Sequence, residues 1–542
     1  MPQDILHGLE VVRETQPFLF LFSDLRVIDD MYDKFRRYQK SSLNKNKYGE
    51  SRYNQELMIS HITNDVLYDP KININKTVTN IFKQIFSSNS ENMILKLFDI
   101  ISDSDYFCKH TSQPPQQVFY NLYNTIGLIE LKGYIMTQFS YMALRLDERG
   151  NYTEASQFAR KQFEKRANDT VSTLHGVMDF IQGKLWRCDP KVHVKGNTYE
   201  ELTGLLQGYI ENEVDLNKAG TCKESCWAYS KAENHGCYDW ESEHCRKRKP
   251  CFGKIWSCRF VESHMKTCNS VSGSDGLFIA HIAYVLCDQQ GPHSDRYFNL
   301  RPVMADVANN RVVTGLRIVK NNRLIHLQIQ EGKLLPYGYI DNNTIRWVPV
   351  DDYKITDKGV QNGEDFHTMS YEHRTMLLDD LKPIEANHII TGVKFDFIDN
   401  HLRFEINARA FDFKYGTLSN DSYYIHGVLP RQHLNIDDPD IPTESPKSIP
   451  NWEQNLYIEF THTSFDKDAA QTTIPFFDTQ PVASYPAVPL KGAGIYYKGF
   501  KGYGGFVAPK ITTYDFSKHL KTEFPKSQIR EDSEEAFDPL IN

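Results

Sequence analysis

The sequence lacks a hydrophobic run long enough to cross a membrane. The longest uncharged apolar-rich stretch of the N-terminal half, GYIMTQFSYMAL, occupies residues 133–144, well short of the roughly 20 residues that span a bilayer. A signal peptide is also missing, because charged residues such as Asp4 and Glu10 precede the short FLFLF segment, where a basic stretch and a longer apolar one are expected. Taken alone, these absences indicate a cytosolic chain without a transmembrane segment.

An excess of positive charge is absent as well. The chain has 62 Lys and Arg against 70 Asp and Glu, and its formal net charge is -8. Affinity for nucleic acids depends mainly on many Lys and Arg side chains that neutralise phosphates. We therefore expect no nucleic-acid partner.

Motifs for catalysis, phosphate binding and metal binding are missing too. The sequence has no G-x-S-x-G, no G-x-x-x-x-G-K-[ST] and no H-E-x-x-H. Its cysteines lack the C-x-x-C pairs of zinc sites, and Asp437, Asp438 and Asp440 lack the glycine and the glutamate of a calcium loop. We predict no metal, no cofactor and no catalytic residue, with glycan hydrolysis by an unrecognised carboxylate pair as an alternative.

The sequence does contain clustered cysteines and acceptor sequons that are distributed along the chain. Such a cluster is typical of disulfides formed in an oxidising compartment, and the sequons are acceptors for N-glycosylation. Together they predict a secreted, extracellular, disulfide-bonded glycoprotein whose signal peptide is not part of the sequence given. The predicted disulfide cysteines are Cys108, Cys188, Cys222, Cys226, Cys237, Cys245, Cys251, Cys258, Cys268 and Cys287. The predicted glycosylation sites are Asn75, Asn151, Asn168, Asn342 and Asn420.

Apolar spacing predicts a helical bundle over residues 1–185. One helix is expected to bury a stripe with spacings of three and four, and the next helix is expected to begin at Thr153. Short links imply antiparallel packing. The predicted buried stripe consists of Leu128, Leu131, Ile135, Phe139, Met142 and Leu146.

Beyond the bundle we predict a cysteine-rich connector over residues 186–292, a repeated-β module over 293–525 and a loose acidic tail over 526–542. Repeats near 307–332 and 384–409 superpose at a constant offset of 77 residues, as in VVTGLRIV and IITGVKFDF. A third copy is predicted near 490–515, with Gly494 corresponding to Gly315 and Gly392. The predicted fold class is α+β multidomain, with a β-module that resembles a β-sandwich or a β-prism.

Several long strings carry a family resemblance. They include SDRYFNLRPVMADVANNRVVTGLRIV, IRWVPVDDYK, DAAQTTIPFFDTQPV, YYKGFKGYGGFVAPKITTYDF and the helical KGYIMTQFSYM. Most of the chain thereby resembles an uncharacterised family of secreted arthropod proteins known as a domain of unknown function. The resemblance implies an extracellular location and a shared architecture, and it implies no catalytic mechanism.

The CRKRKPC segment is one of two candidate binding surfaces. It places Arg246, Lys247, Arg248 and Lys249 between two cysteines, so a disulfide-held loop would display four cations to a sulfated glycan or an anionic protein. The alternatives are protease processing and an ordinary solvated loop.

The YYKGFKGYGGF segment is the second candidate surface. Aromatic rings stack on the apolar faces of sugars, and glycines let a ligand approach the backbone. The same string also fits a glycine-turn hairpin whose aromatic residues pack the core, which is the more frequent arrangement. The candidate glycan-binding residues are Tyr496, Tyr497, Lys498, Phe500 and Tyr503.

These features predict a non-enzymatic extracellular binding or structural role, with glycans or glycoproteins as partners. A helical module followed by repeated sheets also raises the alternative of a pore-forming or membrane-active protein. Against it, the most apolar helix carries Glu130 and Lys132. Ligand identity, disulfide pairing and oligomeric state are not predicted.

Overall fold

Helices occupy the N-terminal part of the chain and strands dominate the rest, an α+β class with a β-rich C-terminal region, as the sequence predicts. The computed structural model describes residues 16–44, 52–69, 73–86, 94, 97–99, 113–178, 180–181, 183–203, 205–212, 235–236, 254–255, 269–272, 279–288, 294–370, 373–429, 431–464, 472–522 and 524. One compact unit comprises Met1–Ser102, Val118–Ile181 and Phe516–Asn542. The other comprises Asp103–Gln117 and Gln182–Asp515.

The first unit is built of helices. Among the residues that the structure describes, none of the helices has both the length and the apolar character required to span a bilayer. The helices are α1 (Gln16–Asn44), α2 (Arg52–Leu67), α3 (Ile74–Phe86), α4 (Pro115–Leu146) and α5 (Thr153–Met178).

The buried face of α4 differs from the predicted stripe. Leu131 is 43% exposed and Leu146 is 77% exposed, whereas Phe139 contacts Phe35 at a ring-centroid distance of 5.0 Å. Another stripe of the same helix is buried instead, and some of its members are small or polar residues. Its members, again spaced by three and four, are Phe119, Leu122, Ile126, Ile129, Gly133, Met136, Ser140 and Ala143.

Gly133 explains why small residues belong to this buried stripe. A Cβ atom at this position would lie 2.7 Å from Cγ2 of Val78 in α3, closer than packed atoms approach. The glycine therefore lets the two helices pack closely.

Charged residues of α4 form internal ion pairs with neighbouring helices. Arg166 of α5 donates from Nε to Oε1 of Glu130 at 2.8 Å and from Nη2 to Oε2 at 2.9 Å. Lys132 donates to Asp29 of α1. Burial raises the pKa of Glu130, and the hydrogen bonds and attraction from Arg166 oppose that rise.

Strands make up most of the second unit. In chain order the first strands are β1 (Lys184–Leu185), β2 (Tyr199–Glu200), β3 (Gln207–Asn212), β4 (His235–Gly236), β5 (Lys254–Ile255), β6 (Asn269–Ser272), β7 (Ile279–Asp288), β8 (Tyr297–Asn299), β9 (Val303–Met304), β10 (Arg311–Asn321), β11 (Leu324–Leu334), β12 (Ile340–Trp347), β13 (Phe366–Thr368) and β14 (Thr375–Leu378). They are followed by β15 (Asp380–Leu381), β16 (His388–Ile398), β17 (His401–Asp412), β18 (Thr417–His426), β19 (Gln432–Leu434), β20 (Ile449–Pro450), β21 (Leu456–Glu459), β22 (Thr461–His462), β23 (Thr473–Ile474), β24 (Phe476–Asp478), β25 (Val482–Ala483), β26 (Leu490–Gly499) and β27 (Phe506–Thr513).

Three sheets of the second unit follow one pattern. Each is built on a long antiparallel hairpin, and a short strand joins the outer edge of the first hairpin strand. Another strand pairs in parallel with the second hairpin strand. On its other side, that strand pairs with one further strand, which is antiparallel to it. The resulting orders are β25-β10-β11-β8-β13, β9-β16-β17-β14-β21 and β15-β26-β27-β24-β2.

The short strands are exchanged between consecutive hairpins. β9 precedes the first hairpin but pairs with β16 of the second, and β15 precedes the second but pairs with β26 of the third. β25 precedes the third hairpin and pairs with β10 of the first. The first strands of the three hairpins also contact one another, so they share one core.

A β-bulge marks the same position in each hairpin. The register shifts just before Gly315 in β10, just before Gly392 in β16 and just before Gly492 in β26. The structure therefore aligns Gly492, rather than Gly494, with the first two glycines. At Gly315 a Cβ atom would lie 2.6 Å from Cβ of Ala483 in β25, so the exchanged strand requires glycine there.

Segments outside the three hairpins also join these sheets. β1 pairs with β27 and β2 pairs with β24, so residues 184–200 complete the third sheet. The proline-rich segment over 430–450 contributes β19, which pairs with β21, and β20, which pairs with β26. A further sheet, β3-β7-β5-β4 with β6 beside β7, lies within residues 207–288.

Candidate functional site

The β26–β27 hairpin carries the YYKGFKGYGGF segment at its turn. Gly502 and Gly505 have φ values of 83° and 63°, a backbone region that favours glycine. Asp440 fixes the turn from outside the hairpin, because its N–H donates to the Gly502 carbonyl at 2.8 Å and its carbonyl accepts from Gly504 N–H at 2.9 Å. The proline-rich segment therefore holds the turn through two backbone hydrogen bonds of one residue.

An open groove of about 470 Å³ lies beside this turn, and aromatic rings form part of its wall. Trp452 is 41% exposed and Phe500 is 39% exposed. Tyr497 and Tyr503 line the same groove, with the rings of Phe500 and Tyr503 6.3 Å apart. Its polar lining includes Asn435, Asp437, Asn451, Glu453 and Lys501.

Tyr497 is positioned by two glycines. A Cβ atom at Gly499 or Gly505 would collide with the Tyr497 ring, so both glycines make room for that ring. Of the two interpretations of the segment, ligand approach at the glycines or a hairpin with packed aromatic residues, Gly499 and Gly505 fit the second, because the Tyr497 side chain fills the space beside them. Burial raises the pKa of Tyr497, so its hydroxyl is protonated at neutral pH.

Tyr496 and Lys498 lie away from the groove. Because side chains alternate along a strand, both are on the sheet face opposite to Tyr497. Lys498 is 1% exposed, with Nζ 2.6 Å from Oδ2 of Asp478 and 3.0 Å from Oδ1 of Asp189. Burial disfavours its ammonium form, but attraction to the two aspartates outweighs that effect and raises the pKa of Lys498.

Tyr496 supports the groove from behind. It is 2% exposed, and its ring stacks on the ring of Trp452 with centroids 5.1 Å apart and planes inclined by 20°. Trp186 meets Trp452 edge-on at 4.8 Å. Of the five residues predicted to contact a glycan, the structure therefore gathers Tyr497, Phe500 and Tyr503 in the groove, with the other two buried.

A smaller pocket of about 200 Å³ adjoins the groove, and Asn451, Glu453 and Tyr497 line both. It lies at the edge of β26, between the part of this strand that pairs with β15 and the part that pairs with β20. The pocket therefore opens where the edge of the sheet has a gap.

Asp379 and Arg431 form a buried ion pair in this pocket. Arg431 donates to Oδ1 of Asp379 and also to the Leu378 carbonyl at 3.0 Å. Oδ2 of Asp379 has no hydrogen-bond partner among the described residues, although Asp379 is only 2% exposed. Burial raises the pKa of Asp379, and Arg431 opposes the rise.

Lys510 and Asp380 form a second charged group at the pocket. Nζ of Lys510 lies 3.5 Å from Oδ2 of Asp380, and Nζ of Lys184 lies 2.7 Å from the same oxygen. Burial lowers the pKa of Lys510, and the attraction of Asp380 only partly opposes this lowering. Burial would raise the pKa of Asp380, but the two lysines outweigh it and the pKa is lowered.

Sequence reasoning missed Trp452, Asp379 and Arg431. Trp452 had a usable signal, because it is a lone tryptophan in a polar segment just after Pro450. Asp379 and Arg431 are 52 positions apart and carry no motif. In the part of the chain that the structure describes, no three His, Cys, Asp or Glu side chains form a group that could hold a metal ion.

The other predicted site residues are placed as follows. Residues 246–249 and all the predicted disulfide cysteines except Cys188 and Cys287 lie outside the described residues, and Cys287 is described by its backbone in β7 alone. Cys188 is disulfide-bonded. All five predicted glycosylation sites are exposed, namely Asn75, Asn151, Asn168, Asn342 and Asn420.

Comparison with known proteins gives a family for part of the chain. No curated protein matches the chain. A family model described as a domain of unknown function (DUF4803) matches residues 105–278 and 274–329. The YYKGFKGYGGF segment lies beyond the matched residues. The resemblance to a domain of unknown function is confirmed over residues 105–329, and that part of the chain is similar to DUF4803.

Proposed function

We propose that this protein is a secreted, non-enzymatic carbohydrate-binding glycoprotein whose ligand lies along the groove beside the β26–β27 turn. The observation that carries the proposal is the set of exposed aromatic rings in that groove, above all Trp452 and Phe500. Aromatic rings provide flat apolar surfaces for the faces of sugar rings. The neighbouring amide and carboxylate groups suit the hydroxyls at the edges of such rings.

The size and stiffness of the groove support a small polar ligand. Its volume of about 470 Å³ falls within the range of about 300–1,000 Å³ typical of small-molecule sites. Trp452 is held between Tyr496 and Trp186, and the Phe500 turn is held by Asp440. A site fixed before the ligand arrives loses less conformational entropy on binding.

Secretion is proposed on independent grounds. The clustered cysteines, the disulfide at Cys188 and the exposure of the five acceptor asparagines all suit an oxidising compartment with a glycosylation machinery. Extracellular glycans and glycoproteins are the partners that we propose for such a location.

A glycan array tests the binding proposal. The protein is compared with Phe500→Ala and Trp452→Ala, and with Tyr415→Ala as a matched control because Tyr415 is a 62% exposed aromatic residue outside the groove. Aromatic pairs contribute about 0.5–1.5 kcal/mol beyond their buried area. We expect a ring–sugar contact to contribute a similar amount, so each groove variant should bind two- to tenfold more weakly. Silence of the intact protein across the array, or equal binding by all variants, would overturn the proposal.

A further inference from the structure

Two of the predicted glycosylation sites lie in the strands that follow the first two hairpins. Asn342 belongs to β12, which pairs with β11, and Asn420 belongs to β18, which pairs with β17. Among the described residues, no strand pairs with the other side of β12 or of β18. Each of the two strands therefore gives its sheet a free edge.

The two asparagines occupy equivalent positions. Leu334 pairs with Ile340 in the first sheet, and the residue one repeat later, Phe411, pairs with Leu418 in the second sheet. In both edge strands the acceptor asparagine is the second residue after this pair. The repeat therefore places a sequon at the same point of both edges.

A second feature supports the equivalence of β12 and β18. The guanidinium carbon of Arg317 lies 4.5 Å from the ring centroid of Trp347, and Nζ of Lys394 lies 5.1 Å from the ring centroid of Tyr424. The two cations occupy corresponding positions of β10 and β16, and the two rings belong to β12 and β18. The edge strands are therefore counterparts within the repeat.

Both sequons lie where the edge strand bulges out of its ladder. The register of β12 on β11 shifts after Glu331, and the register of β18 on β17 shifts after Arg409. Asn342 and Asn420 lie within these bulges, and both are exposed. A glycan on either asparagine would extend into solvent without breaking the pairing inside the sheet.

Long free edges need protection, because their outer N–H and C=O groups are a template for pairing with another chain. β12 has 8 residues and β18 has 10, and neither contains Lys or Pro, which often protect such edges. The regular part of β18, SYYIH over 422–426, contains no Asp, Glu, Lys or Arg. Its Tyr423 and Tyr424 are 39% and 42% exposed. These are properties of segments that pair with copies of themselves.

The third sheet has a short edge instead. β1 pairs with Thr512, the residue opposite the bulge glycine Gly492. β12 and β18 pair with the corresponding residues of the other hairpins, Gln330 and Asn407. β1 has only two residues and no acceptor asparagine, and very short edge strands offer little to a second chain. Sequons therefore accompany the two long edges and not the short one.

We propose that N-linked glycans on Asn342 and Asn420 close the free edges of the first two sheets and keep a second copy of this chain from pairing with them. The proposal rests on the secretory location in the proposed function and is independent of carbohydrate binding. A partner strand would lie about 4.8 Å from the edge, in space that a branched, hydrated glycan occupies.

The modification is a transfer from a lipid-linked oligosaccharide pyrophosphate. A bond forms between Nδ2 of the asparagine and the first sugar, and the bond from that sugar to the pyrophosphate breaks. Nδ2 loses one proton, and the lipid pyrophosphate leaves.

The test uses the full chain, secreted from cultured eukaryotic cells behind a supplied signal peptide. Mass spectrometry of glycopeptides measures the occupancy of each acceptor, and light scattering after size exclusion measures molar mass against protein concentration. The edge variant carries Asn342→Gln and Asn420→Gln. The matched control carries Asn151→Gln and Asn168→Gln, at exposed acceptors of the helical unit.

We expect both edge acceptors to be occupied, and the edge variant to assemble at a concentration about tenfold lower than the intact protein or the control does. Asn420→Gln alone should assemble as well. Adding Tyr423→Lys to it should restore the intact behaviour, because a lysine disfavours pairing at an edge. The new amine can still pair with Glu385, which accepts a 2.6 Å hydrogen bond from Tyr423. This rescue separates edge pairing from misfolding.

Three results would overturn the edge proposal. One is a secreted protein in which Asn342 or Asn420 stays unmodified while another acceptor is occupied, which would leave the proposed secretion standing. Another is an edge variant with the same molar mass as the control at every concentration. The third is assembly of Asn420→Gln that Tyr423→Lys does not reverse. A chain that is not secreted, or that carries no glycan at any acceptor, would overturn the edge proposal and the proposed secretion together.

Discussion

Glu130 and Arg166 join α4 to α5 through two parallel hydrogen bonds of 2.8 and 2.9 Å, and Glu130 is only 3% exposed. A buried carboxylate in this geometry has lost its solvation by water and depends on its partner for stabilisation. Replacing one member leaves the other charge without compensation.

We therefore expect Glu130→Gln to lower the free energy of unfolding by about 3 kcal/mol, measured by urea denaturation followed through the helical circular dichroism signal. Glu164→Gln is the control, because its 2.8 Å pair with Arg160 is about one-third exposed on both sides. Exposed pairs contribute about 0.5 kcal/mol or less. Equal losses for both variants would contradict the role given to burial.

Two glycines of α4 should respond in opposite directions to alanine. Nothing lies within 4 Å of a Cβ atom at Gly127, so Gly127→Ala is expected to stabilise the helix by about 1 kcal/mol. A Cβ atom at Gly133 would meet Val78, so Gly133→Ala is expected to destabilise the unit by about 1–3 kcal/mol. Chemical denaturation of both variants measures the difference, and the same sign for both would refute the close packing of α3 on α4.

Two buried histidines predict a loss of stability in mild acid. His326 is fully buried and His367 is 6% exposed, and burial lowers the pKa of each to about 4. The pKa in the folded state lies below the ordinary value of about 6.5. At pH values between these two, the unfolded chain therefore binds more protons than the folded chain. Stability is therefore complete above about pH 6.5 and falls as the pH drops towards 4, by about 3 kcal/mol for each histidine.

Denaturant midpoints measured from about pH 7 to 5 test this dependence. The double variant His326→Leu, His367→Leu should flatten the slope, whereas the exposed His426→Gln should keep it. An unchanged slope in the double variant would assign the acid sensitivity to other groups.

The basic loop provides a prediction that rests on the sequence alone. Serine at positions 246–249 is expected to abolish binding to sulfated glycans on an array and to leave neutral glycans unaffected, because the four cations act by charge. A variant with serine at Lys34, Arg36 and Arg37, which are exposed in α1, removes a similar charge elsewhere. If this control loses binding as well, net charge rather than the loop is responsible.

Local patterns predicted much of the β-region. The strings VVTGLRIV and IITGVKFDF each lie in the first strand of a hairpin, and their bulges fall 77 residues apart at Gly315 and Gly392. In the third hairpin Gly492 and Gly494 are two residues apart on one face, so the sequence alone cannot decide between them. Strand pairing decides, because the bulge precedes Gly492.

The candidate site was less predictable because its parts come from distant segments. Phe500 and Tyr503 were expected from their own string, but Trp452 joins them through β20, which is two residues long and has no pattern of its own. The wrong buried stripe on α4 has a similar cause. Its true stripe contains Gly133 and Ser140, whose burial depends on the neighbouring helix rather than on their polarity.

From the exchange of short strands among the three hairpins we expect the three to fold in a single event. A linear repeat array can lose a terminal repeat and keep the others, because each contacts its neighbours only. Here every hairpin depends on a strand from the repeat before it, and the last repeat supplies the first, so there is no terminal repeat to lose. A fragment that stops at residue 329, where the family match ends, stops inside β11. Such a fragment would lack the last residues of β11 and would also lack β25, which pairs with β10. We therefore expect only the longer chain to fold this region cooperatively.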